Sequence, residues 1–139
     1  MKSLSTIIIL MLILVSCGNS NTARNELLTS AIWTIEGASL DGSTKPIETH
    51  QFLADGGYLL ESGEVKVNGN WEWSDDNVIH LKLESLTING EVNKYDVQPG
   101  YFIKVVELTD KTLRTLESGE GDSWDSGFAK ERSYASENR

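Results

Sequence analysis

Few residues of this chain have the types and spacing that catalysis requires. One cysteine and two histidines occur among its 139 residues, at Cys17, His50 and His80. The sequence contains no Gly-x-Ser-x-Gly elbow, no His-Glu-x-x-His pair and no glycine-rich phosphate loop. Asp and Glu together number 21, but no spacing singles out a pair for acid–base chemistry. We therefore expect a protein that is not an enzyme and that uses no cofactor.

Metal binding is the other chemistry that the polar residues suggest. His50 and His80 fall in separate predicted strands and could meet across a sheet as ligands, although surface histidines are far commoner. The segment 117–127, ESGEGDSWDSG, offers carboxylate oxygens of the kind that Ca²⁺ binds; they belong to Glu117, Glu120, Asp122 and Asp125. Because its spacing matches no EF-hand, a flexible loop is the favoured interpretation and no metal site is predicted. Trp124 is unusual in such a loop and is a candidate contact for a partner.

The residues before Cys17 suggest a chemical role for its thiol. Lys2 is followed by an aliphatic stretch over residues 4–15, which is typical of a signal peptide. Twelve residues in a helix extend about 18 Å, less than the ~30 Å of a bilayer core. Leu14-Val15-Ser16-Cys17 resembles the lipobox of bacterial lipoproteins. That resemblance implies cleavage of residues 1–16 and acylation of Cys17, which would anchor the chain in a lipid membrane.

Charge and sorting signals narrow the expected location. The net charge of −9 should repel nucleic acid and anionic headgroups, so nucleic-acid binding is not expected. Gly18 follows the cysteine where the inner-membrane retention signal of proteobacterial lipoproteins has Asp, and no acidic run follows. By resemblance we expect the outer membrane, with the domain facing the periplasm. No further cysteine can form a disulfide, so a packed core must stabilise the fold.

The rest of the chain has the pattern of a β-protein. Residues 18–23 form a short polar linker, and residues 24–30 are predicted to form a short helix. Alternation of apolar and polar residues over 78–83 and 70–73 indicates strands with one buried face. Turn residues separate such runs, as at Asp55-Gly56-Gly57, Asn89-Gly90 and Pro99-Gly100. Asn68-Gly69 is ambiguous, since Asn-Gly also favours a hairpin turn.

Short strands every 8–12 residues predict an all-β fold. We expect an antiparallel up-and-down meander of about eight strands in a domain over residues 31–135, with a tail at 136–139. The predicted strands are 31–39, 47–53, 57–62, 69–74, 78–84, 91–98, 101–108, 112–117 and 127–133.

Ordered motifs along this domain resemble the small lipocalin-like lipoproteins of Bacteroidetes-type bacteria. The motifs are Phe52-x-x-Asp55-Gly56-Gly57-Tyr58, Gly69-x-Trp71-x-Trp73, Asp75-Asp76-x-x-Ile79-x-Leu81, Val105-x-x-Leu108-Thr109-x-x-x-Leu113 and Phe128-x-Lys130. The resemblance implies a small lipocalin-like barrel. In classical lipocalins a Gly-x-Trp in the first strand meets an Arg of the last strand at the closed end. Here Trp33 and Arg132 are the counterparts, although Ala31 replaces the glycine.

Two classes of function fit these expectations. An eight-stranded barrel is wide enough to be filled by side chains or to hold one small ligand. The side chains expected inside are Phe52, Tyr58, Trp71, Trp73 and Leu81, which would form either a pocket for a small apolar molecule or a filled core. The first alternative predicts a ligand-binding module. The second predicts an envelope scaffold or an inhibitor of the immunity type, which would bind another envelope protein.

Overall fold

In the part of the chain that the structure describes, one helix precedes a nine-stranded antiparallel sheet. The structure, a computed structural model, describes residues 20–38, 44–97, 99–118 and 129–138. The elements are α1 (Ser20–Ser30), β1 (Ala31–Ala38), β2 (Thr44–Phe52), β3 (Gly57–Ser62), β4 (Val65–Asp75), β5 (Val78–Ile88), β6 (Glu91–Lys94), β7 (Gly100–Leu108), β8 (Thr112–Ser118) and β9 (Lys130–Asn138).

Eight of these strands close into a barrel, which confirms the predicted fold class. Each strand from β1 to β5 pairs with the next, β5 continues to β7, and β7, β8 and β9 follow in order. Pairing of β9 with β1, at Trp33 opposite Ser136, completes the cylinder. The short strand β6 pairs only with the distal part of β5, so it extends the sheet outside the ring. The connectivity is that of an up-and-down meander.

Helix α1 closes one end of the barrel. Its residue Leu28 is fully buried, and the Leu28 carbonyl accepts a hydrogen bond of 2.9 Å from the indole of Trp33. One turn earlier on the helix, the Arg24 guanidinium lies 4.6 Å above the ring of Trp73, and Asn25 accepts a hydrogen bond from the same indole. Apolar burial and these polar contacts together hold α1 across the barrel end. None of the helices in the described ranges has the length and apolarity that crossing a bilayer requires.

Gly69 in β4 lies close to the backbone of β5, which explains a glycine that could also have indicated a hairpin turn. Asn68 and Gly69 lie within this strand, and the pairing with β5 shifts by one residue between them. A Cβ on Gly69 would lie 2.3 Å from the carbonyl oxygen of Lys82. Only glycine fits this irregularity without displacing the neighbouring strand. The turn before β4 instead uses Gly63, whose φ of 59° falls in the left-handed region.

Several boundaries differ from the predicted ones. Residues 20–23, predicted as linker, belong to α1, and residues 136–138, predicted as tail, belong to β9. Strand β5 continues to Ile88, and β6 ends at Lys94 rather than at residue 98. The C-terminal extension has a physical reason, because β1 needs a partner along its first residues and Ala135 to Asn138 supply it.

Candidate ligand cavity

A cavity of about 380 Å³ occupies the half of the barrel away from α1. Its two walls differ in chemistry. One wall is apolar and comes from neighbouring strands β3, β4, β5 and β7, which contribute Leu60, Val67, Leu81, Leu83 and Ile103. The opposite wall is ionisable and comes from β2, β8 and β9, which contribute Glu48, His50, Glu117, Lys130 and Arg132. Tyr58 lies between the two walls, and Tyr101 and Phe102 also line the cavity.

A hydrogen-bonded chain connects three side chains of the polar wall. The hydroxyl of Tyr58 lies 2.7 Å from Nδ1 of His50, and Nε2 of His50 lies 2.5 Å from Oε1 of Glu48. Tyr58 and His50 are only 4% and 5% exposed. Among the described contacts this is the sole partner of the Tyr58 hydroxyl, so its hydrogen is satisfied when it points to Nδ1. A carboxylate only accepts hydrogen bonds, so Nε2 of His50 donates to Glu48.

Arg132 joins this chain to a second carboxylate. Its guanidinium lies 3.2 Å from Oε1 of Glu48 and, through Nε, 2.8 Å from Oε2 of Glu117. The Nε–H is not aligned on that oxygen, so the second contact is an ion pair without a hydrogen bond. The other Glu117 oxygen accepts a hydrogen bond of 2.8 Å from the hydroxyl of Tyr134. One guanidinium therefore holds two carboxylates in the wall.

Burial and charge shift the protonation of these groups. The hydrogen bond from His50 lowers the pKa of Glu48 against the opposing effect of burial, and Arg132 lowers it further. Burial, reinforced by the Glu117 carboxylate, raises the pKa of both Tyr58 and Tyr134 far above the ordinary value, so both phenols stay protonated. The pKa of Arg132 is also raised: burial opposes its charge, but Glu117 and Glu48 outweigh that effect. The wall thus combines fixed charges with neutral hydroxyl groups.

One buried hydroxyl beside the wall lacks a partner. Thr115 is 2% exposed, and its Oγ1 makes no hydrogen bond within the described part of the chain. It lies opposite Arg132 in the pairing of β8 with β9, two residues from Glu117 along β8. An unsatisfied buried hydroxyl carries a desolvation cost of about 1–3 kcal/mol. Thr115 is not one of the residues that line the cavity.

The five side chains expected inside the barrel divide between two regions. Phe52, Tyr58, Trp71 and Leu81 are buried core residues, and Trp73 is partly buried against them. Of these, Tyr58 and Leu81 line the cavity. Phe52 and Trp71 contact each other edge to face at 5.6 Å, and Trp71 contacts Trp73 at 6.2 Å. The predicted alternatives of pocket and core therefore describe different halves of the same barrel.

The structure does not bring Trp33 and Arg132 together. Trp33 lies opposite Ser136, four residues from Arg132 along β9, which is about 13 Å. Trp33 is fully buried beside α1, whereas Arg132 contacts carboxylates in the cavity. The cation that stacks on a tryptophan at the closed end is Arg24, over Trp73.

The two histidines have separate surroundings. His50 is in the polar wall, and His80 faces outward, stacked on Phe102 at 4.5 Å with Glu72 at 3.5 Å. Glu117, predicted as a possible Ca²⁺ ligand, instead contacts Arg132 and Tyr134. Within the described ranges no group of three or more His, Cys, Asp or Glu residues could hold a metal ion.

Some predicted features lie outside the described residues. These are the signal peptide 1–16, the lipidation site Cys17, the beginning of the linker, and Trp124 with the acidic residues that surround it. The strands on either side of Trp124 end at Ser118 and begin again at Lys130.

The polar wall was missed, although the sequence contained a signal for it. Side chains two apart in a strand share a face. Since Phe52 was expected inside, its β2 neighbours at positions 50 and 48 belong inside too, and these are His50 and Glu48. Analogous arguments place Glu117 on the face of Leu113 in β8, and Arg132 on the face of Tyr134 in β9.

Comparisons with known proteins give no match: no family model, curated protein or solved structure is similar to this chain.

Proposed function

We propose that this chain is a lipid-anchored protein of the bacterial cell envelope whose lipocalin-like barrel binds a small ligand that is largely apolar. The cavity is the observation that carries the binding proposal. Its volume of about 380 Å³ lies in the ~300–1,000 Å³ range of small-molecule sites, and apolar strands form one complete wall. A barrel built only as a scaffold would have no reason to leave this half unfilled.

The anchor proposal is supported by the lipobox-like sequence around Cys17, with a short apolar stretch before it. We expect Cys17→Ser to leave an uncleaved precursor that takes up no labelled palmitate. Ser16→Ala is the matched control, because it keeps a small residue before the cysteine and should preserve both cleavage and labelling. Normal cleavage and labelling of Cys17→Ser would contradict the anchor.

Ligand binding is tested by filling the cavity. Leu83 lines the apolar wall and is partly buried, so Leu83→Trp should occupy the space that a ligand needs. Native mass spectrometry of protein purified from its own cells should show a bound mass that organic extraction removes and that Leu83→Trp lacks. Val106→Trp, on the outer surface at 50% exposure, should retain it. A bare mass in all three proteins would contradict the proposal.

A second candidate function is binding of another envelope protein. The hairpin of β5 and β6 favours it, because β6 pairs on one side only and exposes Ile88 and Val92 at 42% and 62%. An exposed strand edge with apolar side chains is a site at which a partner strand can add. A photo-crosslinker at Val92 in intact envelopes should then capture one defined protein, whereas a crosslinker at Val106 should not.

A further inference from the structure

We infer that the ligand of this barrel carries a positively charged amino group, which sits against Glu48 and Glu117 while its apolar part lies on the opposite wall. This inference rests on the proposed ligand-binding function and specifies the chemical class of the ligand. It follows from the charges, the hydrogen-bond capacity and the asymmetry of the cavity.

In the buried part of the polar wall two carboxylates share one guanidinium. Among the described residues, Arg132 is the only guanidinium in the lining, and it contacts the carboxylates of Glu48 and Glu117. Lys130 also lines the cavity, but it is exposed, so water and salt screen its charge.

The wall also offers hydrogen-bond acceptors that its own donors do not saturate. Each carboxylate has about four acceptor positions. Glu48 receives hydrogen bonds from His50 and Arg132, and Glu117 receives one from Tyr134. An ammonium group has three N–H donors, which matches this set.

The unsatisfied Nε–H of Arg132 already has an acceptor of the protein beside it. Its Nε lies 2.8 Å from Glu117, so a small rotation aligns that bond without any ligand atom. The orphaned Nε–H is therefore no argument for an anionic ligand.

An anionic ligand meets an electrostatic penalty in this wall. To reach Arg132 a carboxylate must approach both Glu48 and Glu117, because they flank the guanidinium. Like charges at such distances repel each other. A neutral alcohol avoids the repulsion but brings one hydrogen-bond donor where an ammonium group brings three. The overall charge of −9 also raises the local concentration of cations near the protein.

Three probes of equal chain length test the inference: octylamine, octanoate and octanol. The protein is the chain from residue 17 with Cys17→Ser, which retains α1, all nine strands and every described core residue. Cooperative thermal unfolding is checked first, and binding is measured by isothermal titration calorimetry at pH 7. We expect octylamine to bind at least tenfold more tightly than octanol, with octanoate weakest.

Charge-neutral variants locate the amine. Glu117→Gln should weaken octylamine binding about tenfold and leave octanol unchanged. Glu48→Gln tests the other carboxylate in the same way. Glu61→Gln is the matched control, since Glu61 pairs with Lys66 at 2.6 Å on the outer surface and should change nothing. Thermal unfolding of each variant separates loss of binding from loss of fold.

The outcomes are distinguishable. The inference would be overturned if octanoate or octanol bound most tightly. It would also be overturned if neither Glu117→Gln nor Glu48→Gln changed the affinity for octylamine. Either result would still leave a ligand-binding barrel. No binding of any probe to a cooperatively folded protein would count against the amine and against the proposed function together.

Discussion

The two halves of this barrel are built from the same strands but filled differently. At the end covered by α1, Leu28, Trp33, Phe52 and Trp71 are buried in contact with one another or with the barrel wall. In the opposite half, charged side chains and about 380 Å³ of space take the place of such packing. The comparison indicates that the filled half supplies most of the folding stability, whereas the open half holds the cavity and its ionisable side chains. Mutations in the two halves should therefore separate stability from binding.

The largest effect is expected at the closed end. Trp33 is fully buried, so Trp33→Ala should lower the free energy of unfolding by about 3–5 kcal/mol. Leu83→Ala in the cavity wall should cost only about 1–2 kcal/mol, since that side chain already borders empty space. Urea denaturation measures both. Equal losses at the two sites would show that the open half is packed as tightly as the closed one.

Arg132→Met is the next largest change, and it acts in the open half. It leaves Glu48 and Glu117 without their shared cation and should lower the free energy of unfolding by about 2 kcal/mol. The loss is smaller than for a fully buried pair because the Arg132 side chain is 26% exposed. The triple variant Arg132→Met with Glu48→Gln and Glu117→Gln should recover most of that loss. Failure to recover it would mean that the Arg132 stem stabilises the barrel mainly by packing.

High pH should destabilise the protein through two buried phenols. In the folded state the pKa of Tyr58 and Tyr134 is raised above the ordinary 10.0. Above pH 10 the unfolded chain loses these protons and the folded chain keeps them, so stability falls as pH rises, by up to about 1.4 kcal/mol per pH unit for each phenol. Urea denaturation between pH 9 and 11 should show this slope, and Tyr58→Phe should reduce it. Tyr101→Phe, at an exposed tyrosine, is the control and should leave the slope unchanged.

The smallest predicted effect concerns the docking of α1. Arg24→Gln removes the cation from the face of Trp73 and also removes the hydrogen bond from Arg24 to the carbonyl of Asp76. The free energy of unfolding should fall by about 0.5–1 kcal/mol. Thermal unfolding measures the change, and affinity for a cavity ligand should stay the same. A change in affinity would show that the closed end and the cavity are coupled.

Strand alternation made the fold predictable, because each half-buried strand repeats its pattern every two residues. Ile79 and Leu81 in β5, and Trp71 with Trp73 in β4, were placed on the correct face from that pattern alone. Strand ends were harder to predict. Their lengths depend on the partner strand, as β9 shows by continuing along β1 to Asn138.

The polar wall escaped prediction because charged residues in a strand normally indicate the solvent side. Glu48 and Arg132 reverse that rule by compensating each other inside the barrel, although they lie 84 residues apart in the sequence. Such a pairing is a property of the closed cylinder. Period-two alternation assigns their faces, but only the three-dimensional arrangement shows that the two meet.

The position of α1 sets the orientation that an acyl anchor would impose. Ser20 begins the helix three residues after Cys17, and three residues span at most about 10 Å. A chain acylated at Cys17 would therefore rest on its sealed end, with the cavity directed into the aqueous space. A cavity ligand of such a protein would come from solution or from a soluble carrier, rather than sideways from the lipid beneath.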